Sequence, residues 1–240
     1  MVSGERIAGW MRELVSESGC RGIAVGLSGG IDSAVTAVLA QQAVGDHMVG
    51  VIMPCESNPL DGEHSLLLAR RFDMATEYAD LTDVYRLLEN ILPQGTDLAY
   101  ANIKPRLRML TLYYTANRLE YMVAGTGNRT ERAVGYFTKY GDGGADMLPL
   151  GSLLKIEVRE LARELEIPEV IIDKPPSAGL WEGQTDEAEL GITYEELDRI
   201  IARAEQEGFS PATKNEERVV SMMNRSRHKK VLPPVYDPGE

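Results

Sequence analysis

Apolar residues recur at helical spacing near the start of the chain. Ile7, Trp10, Met11, Leu14 and Val15 fall at i, i+3, i+4, i+7 and i+8, which predicts an amphipathic helix within Met1–Ser18. The next run, Gly22–Leu27 (GIAVGL), is nearly all apolar, as expected of a strand buried on both faces of a parallel sheet. Ser28, Gly29 and Gly30 break it, and Asp32–Ala43 resumes in residues that suit a helix. The same rhythm predicts strands at His47–Met53, Ala75–Ala79 and Tyr121–Ala124. It predicts helices at Glu63–Phe72, Val84–Leu92 and Asn102–Leu119, with Pro105 tolerable only in the first turn of the last. Alternating strands and helices imply parallel βαβ units, hence a doubly wound, Rossmann-like α/β fold.

The last third departs from that rhythm. A glycine-rich stretch, Tyr140–Ala145 (YGDGGA), precedes a helix with Leu154, Val158, Leu161, Ala162 and Leu165 on one face. Pro168, Pro175 and Pro176 bracket an irregular segment. Thr193 with Glu196, and Thr213 with Glu216, then read as two capping boxes. The first opens a helix carrying Leu197, Ile200, Ile201 and Ala204, the second one carrying Val219, Val220, Met222 and Met223. No internal repeat and no Gly/Ser-rich linker divides the sequence, so one domain over residues 1–240 with a helical C-terminal segment is expected.

Composition narrows the class. An apolar content of 43% and a charged content of 26% exclude disordered, collagen-like and disulfide-scaffold chains. With 25 Lys+Arg against 37 Asp+Glu, the net charge of -12 argues against gripping a nucleic-acid backbone, while leaving room for a local basic groove. Cys20 and Cys55 are too few for a disulfide framework and lack metal-ligand spacing. No run reaches the roughly 18 apolar residues of a membrane span, and the first residues lack the basic flank and apolar run of a signal peptide. A cytoplasmic protein with neither a membrane nor a nucleic acid as partner is expected.

The chemistry begins at Leu27–Ser33 (LSGGIDS), where the buried strand meets a helix. Such a junction presents unpaired backbone N–H groups at the positive end of a helix dipole, and glycines let phosphate oxygens approach the chain. Ser28 and Ser33 add hydroxyl donors, and Asp32 adds a carboxylate able to hold Mg²⁺ beside phosphates. A plain glycine turn capped by serine is the alternative; the placement after the first strand and the added Ser and Asp favour a pyrophosphate cradle. Neither G-x-x-x-x-G-K-[ST] nor G-x-G-x-x-G is present, which argues against P-loop NTPases and dinucleotide dehydrogenases.

SGGIDS resembles the loop of the N-type ATP pyrophosphatases, which split ATP between its α and β phosphates and adenylate a carboxyl or carbonyl oxygen. Three further stretches narrow the choice: NIKPRLRMLTLYYTAN at Asn102–Asn117, VAGTGNRTERAVGYFTKYGDGG at Val123–Gly144, and PPSAGLWEGQTDEAELGITYEELD at Pro175–Asp198. With His228-Lys229 near the end, these resemble the ammonia-dependent NAD synthetases over roughly residues 5 to 235. The resemblance implies an adenine nucleotide alpha hydrolase-like fold. It implies that Gly26, Leu27, Ser28, Gly29, Gly30, Ile31, Asp32 and Ser33 hold the phosphates of ATP, with Thr126, Lys155 and Ser177 also on ATP. Asp32 and Glu131 match the family's magnesium carboxylates and, with Lys155, its catalytic set. Arg106, Lys139, Asp146, His228 and Lys229 match positions that hold deamido-NAD. The family usually has a small residue where Pro105 stands, a departure that bears on how Arg106 is aimed.

The reaction so implied is the last step of NAD biosynthesis. The nicotinate carboxylate attacks the α-phosphorus of ATP, and ammonia then displaces AMP. Asp142 and Asp146 are candidates, by residue type, to take a proton from ammonium. The length leaves no room for the amidase domain of glutamine-using relatives, so free ammonia is the expected donor, unless a separate subunit delivers it. The family is dimeric, and the Asn102–Leu119 helix with Tyr113 and Tyr114 is a candidate interface. Two rivals stay open: a tRNA-thiolating enzyme with Cys55 as nucleophile, and a nucleotide sensor that keeps the loop without chemistry. The negative charge counts against the first, and retention of Asp32, Glu131, Lys139 and Lys155 against the second.

Overall fold

Strand β1 (Gly22–Leu27) is the centre of the molecule because every residue it offers is apolar or glycine and nearly all are buried. The computed structural model describes residues 3–181, 183–206 and 209–236; Met1 and Val2 of the first predicted helix and Glu182 of the third motif lie outside these. Around β1 stand β2 (Met48–Ile52), β3 (Thr76–Tyr78) and β4 (Tyr121–Ala124), all parallel, in the order β3-β2-β1-β4. Leu27 pairs with Ile52 on one side and Val25 with Ala124 on the other. Beyond β4, Ala124 makes an isolated parallel bridge to Met147.

Alternation along β1 divides the core. Ile23, Val25 and Leu27 pack with α1 (Gly4–Ser18), α2 (Ile31–Val44), α8 (Lys155–Glu164) and α9 (Glu169–Ile172). Ala24 shares the other face with Val49, Val51 and Val123 and with Leu107, Leu112 and Ala116 of α6 (Ile103–Leu119). The remaining helices are α3 (Pro59–Arg71), α4 (Thr82–Ile91), α5 (Asp97–Ala101), α7 (Arg129–Val134), α10 (Asp186–Leu190), α11 (Tyr194–Ala204) and α12 (Lys214–Arg225). Val134, Leu190, Tyr194, Leu197, Ile200, Ile201 and Val219 gather α7 and α10–α12 into a third cluster. Among the described residues no helix is long and apolar enough to cross a membrane.

Several details differ from the pattern reading. Helix α3 starts at Pro59, four residues before the predicted Glu63, because Asn58 accepts from Leu60 N and Pro59 occupies the first turn. Short helices α5, α7, α9 and α10 were not predicted. The Thr213 capping box is complete, whereas at Thr193 only half forms: Thr193 accepts from Glu196 N, but the Glu196 carboxylate accepts from Asn215 Nδ2 at 2.9 Å instead. Pro105 falls in the first turn of α6 and is buried without breaking it.

Strand order reverses between β1 and β4, so the crevice outside their carboxyl ends is where an open α/β sheet binds ligands. The chain leaves β1 into Ser28–Gly30 and leaves β4 into Gly125–Asn128.

Candidate active site

The β1–α2 turn is built around Ser33. Its hydroxyl donates to Gly30 O at 2.9 Å and accepts from Ser28 N at 3.2 Å and Ser28 Oγ at 3.1 Å. Gly29 has φ +69°, and a β-carbon there would fall 2.3 Å from the Asp61 carbonyl oxygen, so only glycine fits. Gly30, extended and without a side chain, leaves the first N–H groups of the 14-residue helix α2 uncapped. Oriented donors and the helix dipole therefore meet at one point, which suits a phosphate.

Three charged groups from three elements converge beside this loop. Asp32 comes from the first turn of α2, Glu131 from α7 and Lys155 from the start of α8. Buried Asn128 positions two of them: its Oδ1 accepts from Glu131 N at 2.9 Å, its N–H donates to Glu131 Oε2 at 3.3 Å, and its Nδ2 donates to Asp32 Oδ1 at 2.8 Å. Lys155, 2% exposed, forms an ion pair with Asp32, lies 3.6 Å from Glu131 Oε1 and sits 5.1 Å over the ring of Tyr194. Asp198 fixes the start of α8 by accepting from Thr130 Oγ1 and from Ile156 N.

Electrostatics follow from this crowding. Burial, and then the charge of Asp32, push the Glu131 carboxyl up to about 8, with Lys155 pulling the other way. Burial alone would lower the Lys155 ammonium, but Asp32 and Glu131 outweigh it and leave the group above its ordinary value. Two converging carboxylates with one ammonium between them form a donor set that suits Mg²⁺ completed by phosphate oxygens. Among the described residues no cluster of three or more acidic, His or Cys side chains would hold a metal by itself.

These groups open into a cleft of about 1560 Å³, larger than a single small-ligand pocket. Another part of its lining, within residues 174–181 and 183–190, is held from afar. Lys174 Nζ pairs with Asp61 Oδ1 at 2.5 Å and donates to Gly29 O at 3.3 Å. Buried Lys104 donates to Leu180 O at 3.0 Å. The Tyr194 hydroxyl donates to Asp186 Oδ2 at 2.8 Å, and the Tyr136 hydroxyl lies 3.1 Å from Asp186 Oδ1 and 2.8 Å from Glu189 Oε2. Burial pushes the Asp186 carboxyl up, while the hydroxyls of Tyr194 and Tyr136 and the charge of Lys155 pull it the other way.

Gly26, Leu27, Ser28, Gly30, Ile31, Asp32, Ser33, Thr126, Glu131, Lys155 and Ser177 all line the cleft, with Gly29 buried behind them. Of the residues expected on the second nucleotide, His228 and Lys229 line it, whereas Arg106, Lys139 and Asp146 do not. Arg106 is exposed and donates to Asn102 O and Lys139 O, both at 3.3 Å; Lys139 Nζ donates to His228 O at 2.9 Å. Lys229 Nζ donates to Gly135 O at 2.8 Å and Phe137 O at 2.9 Å. These four thus form one hydrogen-bonded rim. Gly135, φ +73°, seats the same rim: a β-carbon there would come 2.0 Å from Ser226 Cβ. Asp146 stands apart, accepting from Tyr113 OH and Val123 N.

Sequence reasoning missed Asn128, Asp186, Tyr194, Lys104 and Arg108. Lys104, Arg108 and buried Leu112 share one face of α6, a spacing that marks Arg108 rather than Arg106 as inward. Cys55 is fully buried, does not line the cleft, and has its thiol raised by burial, which removes the nucleophile the thiolation reading needs.

The parallel sheet, the uncapped glycine turn at its switch point and the paired carboxylates define a nucleotide-binding α/β protein of the doubly wound class. The family model described as NAD synthase matches residues 4–233. A relative from Carboxydothermus hydrogenoformans called NH(3)-dependent NAD(+) synthetase is 49% identical, over 96% of this chain and 95% of that one. Among solved structures, an NMN synthetase from Francisella tularensis is 36% identical with a TM-score of 0.90, covering 98% of this chain and 97% of that one. An NH3-dependent NAD synthetase from Campylobacter jejuni is 27% identical with a TM-score of 0.80, with the same coverages. The chain belongs to the NAD synthase family.

Proposed function

We propose that this chain is an ammonia-dependent ligase that amidates the nicotinate carboxylate of deamido-NAD to give NAD, with cleavage of ATP to AMP and pyrophosphate. The observation that carries the reading is the convergence of Asp32, Glu131 and Lys155 beside the uncapped start of α2. Curated relatives named for this activity, matched over nearly their whole length, support ammonia as the donor and the chain as one synthetase domain.

In the first step a nicotinate oxygen forms a bond to the α-phosphorus of ATP and the bond to the β-phosphate oxygen breaks, releasing pyrophosphate. The protein contributes position and charge compensation. The N–H groups at Gly30–Ser33 and the hydroxyls of Ser28 and Ser33 hold phosphate oxygens, and Lys155 offsets charge at the reacting phosphate. Thr126 and Ser177, which both line the cleft, orient the nucleotide. Asp32 and Glu131 would hold Mg²⁺, which supplies charge neutralisation at the phosphates when bound. In the second step ammonia attacks the acyl carbon and AMP leaves. Asp142 lines the cleft and Asp146 does not, so Asp142 is the better placed to hold ammonium and take its proton.

His228 and Lys229 reach the second nucleotide directly, and Arg106 and Lys139 extend their rim. Asp146, beside α6, would join them across a homodimer. Val84, Leu87 and Ile91 on α4 and Leu110 and Tyr114 on α6 leave apolar surface exposed, which supports such a dimer. A cytoplasmic address fits the small, charged substrates.

The Francisella relative's name favours a second reading, in which the mononucleotide is the acceptor and NMN the product. AMP release measured with deamido-NAD and with nicotinic acid mononucleotide, each with and without ammonium, separates the two. Higher kcat/KM with deamido-NAD is expected; the reverse ranking establishes the second reading, and no AMP with either overturns both.

A further inference from the structure

Arg108, in the second turn of α6, lines the cleft, as do residues of the phosphate loop and Gly141 and Gly144. Its Nε donates to Met53 O at 3.1 Å, at the carboxyl end of β2, and its Nη2 donates to Ser57 Oγ at 3.0 Å. Met53 in turn abuts the loop: a β-carbon on Gly26 would lie 3.2 Å from Met53 Cε. On the other side Gly141 packs against Pro105 and Gly144 against Met109, which flank Arg108 in α6. The guanidinium is thus fixed at two of its five N–H groups and keeps three for another partner.

Its neighbours in the cleft differ. Lys155 has Asp32 and Glu131, and Lys174 has Asp61. Among the described residues no carboxylate comes within ion-pair distance of Arg108; Asp142 and Asp61 act on it only at longer range. A partly buried cation held by two neutral acceptors is under-compensated, and an oxyanion would complete it. Burial already pulls the group below its ordinary value.

We propose that Arg108 is an oxyanion receptor in the cleft, taking a phosphate group of a bound nucleotide on its remaining N–H groups. The proposal rests on the reading above only in assuming that nucleotides enter this cleft. ATP and the carboxylate-bearing nucleotide both carry such a group, and separate binding measurements distinguish them.

The test is titration calorimetry of wild type, Arg108→Met, Arg108→Lys and Ser57→Ala with inorganic pyrophosphate, ATP and deamido-NAD in separate runs. For Arg108→Met, pyrophosphate affinity should fall about ten- to a hundredfold, partly restored in Arg108→Lys. One of the two nucleotides should weaken with it and so name the source of the phosphate. Ser57→Ala keeps the charge but frees one anchor, so it should weaken the same nucleotide by a smaller factor; it also serves if Arg108→Met does not fold. Unchanged affinity for all three ligands in folded Arg108→Met or, failing that, in Ser57→Ala overturns the proposal. Pyrophosphate binding that depends on Arg108 in a protein that releases no AMP would sustain the receptor and sink the proposed ligase.

Discussion

Ser28–Ser33, one side of the cleft, owes its turn to bonds among Ser28, Gly30 and Ser33 that converge on the Ser33 hydroxyl, while its Gly29 carbonyl and Asp32 carboxylate are also held by Lys174, Asn128 and Lys155. The second wall, within residues 174–181 and 183–190, is tied to Gly29, Asp61, Lys104 and Tyr136, which lie 50 to 145 positions away in sequence. The bonds at the first turn are short-range and partly buried. The second wall has local bonds, from Gly179 N to Ser177 Oγ and from Leu180 N to Gln184 Oε1, but also leans on those distant side chains, and Ser177, Ala178 and Trp181 on it are exposed. Exposed stretches of this kind, outside the core clusters, open at lower free-energy cost than the buried elements around them.

Substitutions can break this contrast. The largest effect is expected from Lys155→Met, because it leaves Asp32 and Glu131 facing each other without their shared cation. A loss of about 3 kcal/mol in denaturant unfolding and of about a thousandfold in AMP release is expected; a variant as stable as wild type would show that the carboxylates are compensated by other groups. Next is Ser33→Ala, which removes the hub of the local wall. AMP release should fall about a hundredfold with little change in melting temperature, and an equal fall in stability would mean that the loop is not an independent unit.

Lys104→Met acts on the distant wall. Freeing Leu180 O should raise KM for ATP about tenfold, the cost of one charge-assisted hydrogen bond, and speed proteolytic cleavage within residues 177–181 while leaving kcat near wild type. A drop in kcat alone would place the effect at the chemistry instead. The smallest effect is expected at Glu216→Gln, remote from both walls. Glu216 accepts from Ala212 N and Thr213 N and pairs with Arg203, bonds that hold its carboxyl below the usual range. A carboxyl lowered in the folded state stabilises above the unfolded carboxylate pKa and loses that contribution as pH falls through the folded one. The difference in melting temperature between wild type and Glu216→Gln should therefore be full at neutral pH and shrink below about pH 4, with ATP affinity unaffected throughout.

The same division explains what could be read from residues alone. β1, β2, β4 and the long helices were legible because each carries its apolar pattern within one element. The loop was legible because Ser28, Gly29, Gly30 and Ser33 act on one another. Helices α5, α7, α9 and α10, of four to six residues, are too short to express a helical period. Asn128 could not be tied to Asp32 across 96 positions, nor could Tyr194 be placed under Lys155, because those meetings depend on how β4, α8 and α11 pack. Motif matching singled out Arg106 alone; the helical face shared with Leu112 is the physical signal that brings Arg108 to the cleft.

The glycine seat at Gly135 also sets an order of events during synthesis. The rim it supports is closed by Lys229, 94 positions later, a delay of about 5 to 20 s at ordinary translation rates. By then the sheet, the phosphate loop and the Asp32, Glu131 and Lys155 cluster have all been made. A growing chain therefore passes through an interval in which Asp32, Glu131 and Lys155 have been synthesised while the segment from Ser226 to Lys229, on which the rim closes, has not.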